Sequence, residues 1–110
     1  ERILRLLDQA PEIRLKCAHL GGWQVWERAA AALTGADVWV DTSSALYALS
    51  PERAAEIIRG YGTKRALFGS DFPMWDPGEE LRRFLRLPLE DSEREDILWN
   101  NHIRLFQGEK

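Results

Sequence analysis

Three short β-rich runs, residues 13–18 (IRLKCA), 37–41 (DVWVD) and 65–69 (RALFG), alternate with stretches of helical periodicity along a chain of 110 residues. That alternation constrains the fold more than any other feature. A short strand followed by a helix and then another strand returns the chain parallel to itself, with a right-handed crossover. The predicted class is therefore α/β, built from parallel βαβ units. There is no internal repeat, linker or low-complexity segment, so residues 1–110 read as one α/β domain. About 65% of the unfolded surface can be buried at this length.

The elements follow from local signals. A first helix runs from Glu1 to Asp8 or Gln9, with Ile3, Leu4 and Leu7 on one face, and Pro11 ends it. In the first strand Ile13, Leu15, Cys17 and His19 alternate onto one side, which leaves Lys16 on the other. Gly21-Gly22 turn the chain into a helix carrying Trp23, Trp26, Ala30 and Leu33, stopped by Gly35. Ser50-Pro51-Glu52 is a helix start, with a capping hydroxyl, proline at the first position and an acid in the first turn. Asp76-Pro77-Gly78-Glu79 starts another helix, and Ser92-Glu93-Arg94-Glu95 the last, which Ile97, Leu98, Leu105 and Phe106 line.

Composition narrows the function classes. A formal net charge of −3 without a clustered basic face argues against nucleic acid. No apolar run approaches 18 residues and no signal-peptide pattern is visible, which predicts a soluble, cytoplasmic protein without a membrane partner. The single Cys17 has no partner for a disulfide or a zinc knuckle, and in a strand interior it reads as a small buried apolar residue. The chain opens on Glu1 directly in helical periodicity, without a capping residue, so it is expected to be part of a longer polypeptide.

The chemistry-bearing residues gather at strand ends. His19 ends the first strand, Asp41-Thr42-Ser43 the second and Ser70-Asp71 the third. Pro73 disfavours helix at Phe72, so Asp71 is set where a buried strand gives way to a loop. In open α/β sheets and barrels, ligands collect at that carboxyl end. A histidine and two carboxylates there can bind a metal, activate water or shuttle a proton. Each also has a plainer reading: a structural histidine at His19, a turn cap at Asp41. Trp75, beside the Asp71 loop, is a candidate pocket wall, as are Asp41 and Ser43. Asp76 is assigned to helix capping, Gly21-Gly22 to a plain turn, and His102 to a structural place in the last helix, away from the rim.

Several segments in order, Pro11-Glu12-Ile13, Cys17-Ala18-His19-Leu20-Gly21-Gly22-Trp23, Val38-Trp39-Val40-Asp41-Thr42-Ser43 and Leu67-Phe68-Gly69-Ser70-Asp71-Phe72-Pro73, resemble the amidohydrolase-related family of metal-dependent TIM-barrel hydrolases. Ile97-Leu98, Asn101 and Arg104-Leu105-Phe106 resemble its closing helix. The resemblance implies the last three strands of a (β/α)₈ barrel, strands six to eight, plus a C-terminal helix. It makes His19 the strand-six histidine that contacts metal-bound water or substrate. It makes Asp71 the strand-eight aspartate, a metal ligand or the base that activates water, with His19 a possible second ligand. The family's His-x-His pair and strand-five histidine have no counterpart here, His102 stands where a small residue is common, and Lys16 where an apolar one is usual.

The resemblance thus implies part of a metal-dependent hydrolase. It would act on a small-molecule amide, ester or lactone, or decarboxylate a small carboxylic acid. Two alternatives are a metal-free lactonase with Asp71 alone as base, and a non-catalytic α/β module that self-associates or pairs with a second polypeptide. The expected cofactor of the complete enzyme is a divalent metal, zinc by preference, with none held tightly by this chain alone, because catalytic zinc takes three protein ligands. Three strands with two open edges, and barrel-facing residues Leu15, Cys17 and Leu67 without an opposite layer, predict a homo-oligomer or an assembly with the earlier strands.

Overall fold

The sheet that carries the site has three parallel strands in the order β1-β2-β3: β1 (Leu15–Cys17), β2 (Val38–Asp41) and β3 (Ala66–Leu67). They are described by a computed structural model covering residues 1–108. Helix α1 (Arg2–Gln9) precedes β1, α2 (Trp26–Leu33) and α3 (Pro51–Tyr61) form the crossovers, and α4 (Pro77–Leu85) follows β3. The chain ends in a continuous helical segment: α5 (Asp91–Glu95), a π-helical stretch (Asp96–Asn100) and α6 (Asn101–Gln107). The parallel α/β architecture expected from the alternation is present. The strands are shorter than expected, because only β2 has a strand partner on both sides.

Local chemistry sets most boundaries. Ser50 Oγ accepts the Arg53 N–H at 3.1 Å and Asp76 Oδ2 accepts the Glu79 N–H at 3.0 Å, each with proline at the first helical position. The last helical segment starts earlier than Ser92: Glu90 caps it and donates its N–H to Glu93 Oε1 at 2.8 Å. Trp23 falls outside α2 and is exposed, while Trp26, Ala30 and Leu33 pack inward.

The register decides which residues share a face. Leu15 pairs with Val38, Lys16 with Trp39, Cys17 with Val40, then Val40 with Ala66 and Asp41 with Leu67. Leu15, Cys17, Val38, Val40 and Ala66 pack with Leu33, Ile57, Ile58 and Phe84 in the helix-covered core. Leu15 and Cys17 therefore face the helices, not a barrel interior as expected. Lys16, Trp39, Asp41 and Leu67 occupy the other face. Strand periodicity says which side chains go together but not which face the helices choose.

The C-terminal segment covers the free edge of β3. One edge of this strand pairs with β2 through Val40 N–H to Arg65 C=O (2.9 Å) and Thr42 N–H to Leu67 C=O (3.0 Å). Along the other, the Phe68 N–H donates to the Ile97 carbonyl at 3.0 Å, and Arg104 donates to the Lys64 carbonyl at 2.7 Å. Asn101, fully buried, donates to the carbonyls of Ala66 and Thr63, both at 2.7 Å. Arg14 at the head of β1 donates to the Leu105 carbonyl, so α6 reaches from β3 to β1. Trp39, with the Arg65 guanidinium 5.1 Å from its ring centre, is 1% exposed despite facing away from the helical core. The expected open edge at β3 is thus occupied. Phe106, expected in the core, is instead 83% exposed.

Removing the Asn101 amide strands two backbone carbonyls, each a cost of about 1–3 kcal/mol where burial is complete. Asn101→Ala is expected to lower stability by about 2 kcal/mol, read as a lower urea midpoint at unchanged slope. A loss below about 0.5 kcal/mol would show that the amide does not hold the edge.

Candidate functional site

The three strand ends are shaped by backbone that L-residues adopt only at a cost. His19 (φ 59°), Leu20 (φ 51°), Ser44 (φ 52°) and Asp71 (φ 58°) are all left-handed, a conformation that disfavours a side chain by about 1–2 kcal/mol each. Strain concentrated at strand ends marks functional turns, provided neighbours hold it in place. After β1 that support comes from Leu20, which is fully buried, and from Tyr61, whose hydroxyl donates to the Leu20 carbonyl at 3.0 Å. Burial and the nearby Cys17 push the Tyr61 phenol up to about 12, so it stays a donor. Gly21 (φ 100°) completes the turn; a Cβ there would come within 2.6 Å of the Tyr61 hydroxyl.

Asp41 ties the first two strand ends together. Its Oδ1 accepts the His19 N–H at 3.1 Å, the Ser43 N–H at 3.0 Å and the Ser43 hydroxyl. Its Oδ2 pairs with Lys16 Nζ at 3.0 Å, which accounts for a lysine inside a strand. Burial alone would raise the Asp41 carboxyl, but the Ser43 hydroxyl, Lys16 and the His19 N–H hold it below the usual carboxylate range. Ser43 in turn meets the ring of His19: its carbonyl oxygen and its Oγ each lie 2.9 Å from Nδ1.

The next residue serves the other strand end. Ser44 Oγ accepts the Trp75 indole N–H at 2.9 Å and donates to Asp71 Oδ2 at 2.8 Å. Trp75 stacks on Tyr47 with ring centres 4.8 Å apart, and the Arg83 guanidinium lies 5.5 Å from its ring centre. Arg83 is itself paired with the buried Glu80. His19, Trp23, Ser44, Asp71, Met74 and Trp75 line one cavity of about 230 Å³ at the carboxyl ends of the strands.

The structure therefore brings His19, Asp71 and Trp75 to a common cavity. Asp41 and Ser43, expected as pocket walls, lie behind His19 and hold it. Ser44, Trp23 and Met74 are cavity residues that sequence reasoning missed; the Ser-Ser pair at the end of β2 was the available signal for Ser44. His102 is nearer the strand ends than expected: the charges of Lys16 and Asp41 and the Phe68 backbone all act on its imidazole.

The cavity presents one imidazole and one carboxylate as donors to a metal. Among the described residues no group of three or more His, Cys, Asp or Glu side chains converges to hold one. Asp41 does not supply a third donor, since both its oxygens are engaged. These residues by themselves do not complete a metal site.

A family model for amidohydrolases matches residues 2–108, and the chain belongs to that family. No curated protein matches it. Among solved structures it is similar to an uncharacterised TIM-barrel protein from Bordetella bronchiseptica (28% identity, TM-score 0.77), covering 96% of this chain and 38% of that one. It also shares the fold of a putative 2-pyrone-4,6-dicarboxylic acid hydrolase from Pseudomonas putida (22%, TM-score 0.69; 98% and 48% covered). A third is a dihydroxybenzoic acid decarboxylase from Polaromonas sp. JS666 with bound manganese and the inhibitor 2-nitroresorcinol (20%, TM-score 0.71; 93% and 36% covered). The chain thus spans less than half the length of each. Among the described residues no helix is long and apolar enough to cross a membrane.

His102 gives this region a pH dependence. Burial, then Lys16, push its imidazole below the ordinary value, outweighing the Phe68 backbone and Asp41. A depressed imidazole favours folding while neutral: its contribution is present above about 6.5, the unfolded value, and is lost as pH falls through the folded one. The melting temperature is expected to decline from pH 7.5 towards 5, and His102→Gln to flatten that decline. An identical decline in both proteins would contradict the assignment.

Proposed function

We propose that this chain supplies the proton-handling half of an amidohydrolase-family active site, with His19 and Asp71 as its working groups. The observation that carries this reading is their convergence on one cavity at the carboxyl ends of parallel strands, each held by a serine of the β2 end. The reaction is hydrolysis of a small-molecule amide, ester or lactone, or decarboxylation of a small carboxylic acid. Similarity in fold to proteins described as a hydrolase and as a decarboxylase supports both branches.

Chemically, Asp71 keeps one oxygen on the Ser44 hydroxyl and offers the other to accept a proton from water. His19 carries a proton to or from the reacting group through its imidazole. Trp23, Met74 and Trp75 give the cavity apolar walls, which fit a flat or apolar substrate body. A divalent metal in the complete protein, with zinc the first candidate, would polarise a water or a carbonyl. His19 and Asp71 are the side chains here able to contribute to its coordination, and further donors would come from outside these residues.

A second reading is a non-catalytic module that self-associates or pairs with another polypeptide. Phe72 and Met74, 73% and 70% exposed beside the cavity, favour it. Turnover by the complete protein separates the two. His19→Asn is expected to reduce kcat by about 10²–10⁴-fold, and Asp71→Asn to abolish most of it, with folding nearly intact. Near-wild-type rates for both variants would refute the catalytic reading.

A further inference from the structure

We propose that Asp41 and Ser43 are positioning residues that hold His19 in a single tautomer, protonated on Nδ1, so that a bare Nε2 faces the cavity. The inference rests on reading His19 as a working group of that cavity, and it adds the nitrogen through which it works and what decides it. Protons are not seen directly in such a site and are assigned from partners. Here the partners leave one assignment.

Both atoms 2.9 Å from Nδ1 belong to Ser43. The carbonyl oxygen only accepts. The hydroxyl has one proton, and the contact between Ser43 Oγ and Asp41 Oδ1 commits it to the carboxylate. Asp41 is an acceptor in turn, because Lys16 on Oδ2 and two backbone N–H groups on Oδ1 favour its charged form. With the hydroxyl proton directed away, Oγ shows His19 only lone pairs. Nδ1 therefore faces two acceptors and must carry the hydrogen, and the neutral ring then has none on Nε2. A free imidazole side chain prefers the opposite arrangement, so the protein is selecting the less common form.

The backbone reinforces the selection. His19 is attached to the same carboxylate through its own N–H, and its left-handed conformation is part of the turn that Tyr61 and Leu20 anchor. Main chain and ring are thus both tied to Asp41 Oδ1, the first directly and the second through Ser43. His19 enters a reaction as an acceptor at Nε2 and becomes a donor only after taking a proton there. Ser43, itself bonded to Asp41, keeps the Nδ1 hydrogen partnered throughout. This is the polarity needed to take a proton first and return it later.

Long-range proton–nitrogen correlation spectra of the ¹⁵N-labelled full chain test this, recorded above the imidazole titration range. Only two histidines are present, and the His102→Gln variant assigns the rings. The expected result is a His19 ring with nitrogen shifts of the Nδ1–H form. Ser43→Ala, which keeps the carbonyl acceptor but loses the hydroxyl one, is expected to shift the populations part of the way towards the Nε2–H form, and Ser43→Thr to leave them as in the wild type. A wild-type ring in the Nε2–H form would overturn the proposal without any variant, and unchanged tautomer populations in a folded Ser43→Ala would remove the Ser43 hydroxyl, and with it the link to Asp41, from it. These outcomes are separable from the catalytic reading. An Nδ1–H ring together with a fully active His19→Asn leaves the positioning intact and ends the catalytic role. An Nε2–H ring with an inactive His19→Asn does the reverse.

Discussion

The carboxylate of Asp41 is the contact on which the rest of the site depends. It sits at the end of the central strand, 6% exposed, and gathers a lysine from the neighbouring strand, two backbone N–H groups and a hydroxyl. A buried carboxylate is tolerable only when it is paired and hydrogen-bonded, and removing any one partner leaves a charge that burial penalises. That penalty makes the geometry specific: β1 cannot shift along β2 without parting Lys16 and His19 from Asp41. Ser43 and Ser44 then divide the remaining work, one facing His19 and the other Asp71, as the chain turns left-handed at Ser44.

The second constraint is the sheet edge. A two-residue strand such as β3 has little ladder of its own, and its outer edge would present unpaired N–H and C=O groups. The C-terminal helical segment meets them with a backbone carbonyl from Ile97 and side chains from Asn101 and Arg104. The π-helical stretch that contains Ile97 lies at this contact. Since β3 leads directly into the Asp71 turn, the covering of its edge and the placing of Asp71 are connected. His102 lies on the same helical segment and feels the charges of Lys16 and Asp41, which links edge and site.

Much of this was legible in the residues. The strand–helix alternation sets the class, the Ser50-Pro51 and Asp76-Pro77 signals stand at observed helix starts, and the strand-end positions of His19, Asp41 and Asp71 are visible from where apolar runs stop. What could not be read was three-dimensional. Periodicity grouped Leu15 with Cys17 but did not say that their side faces the helices, and Lys16 looked anomalous until Asp41 was seen opposite it. No local signal announces a positive φ at a serine, so Ser44 passed unnoticed beside Ser43. The apolar character of Phe106 suggested core, yet its place near the end of α6 leaves it in solvent. His102 seemed remote because helix periodicity carries no information about which strand end a helix will cross.

Native-state hydrogen exchange at two amides tests the central claim most directly. His19 and Ser43 lie in turns beyond the strands, and a turn amide without a partner exchanges readily. Because both N–H groups donate to Asp41, they are expected to be protected in the wild-type chain, and to lose that protection selectively in Asp41→Ala while the Val40 amide in β2 keeps its own. Rapid exchange of His19 and Ser43 in the wild type would mean that Asp41 does not organise the strand ends.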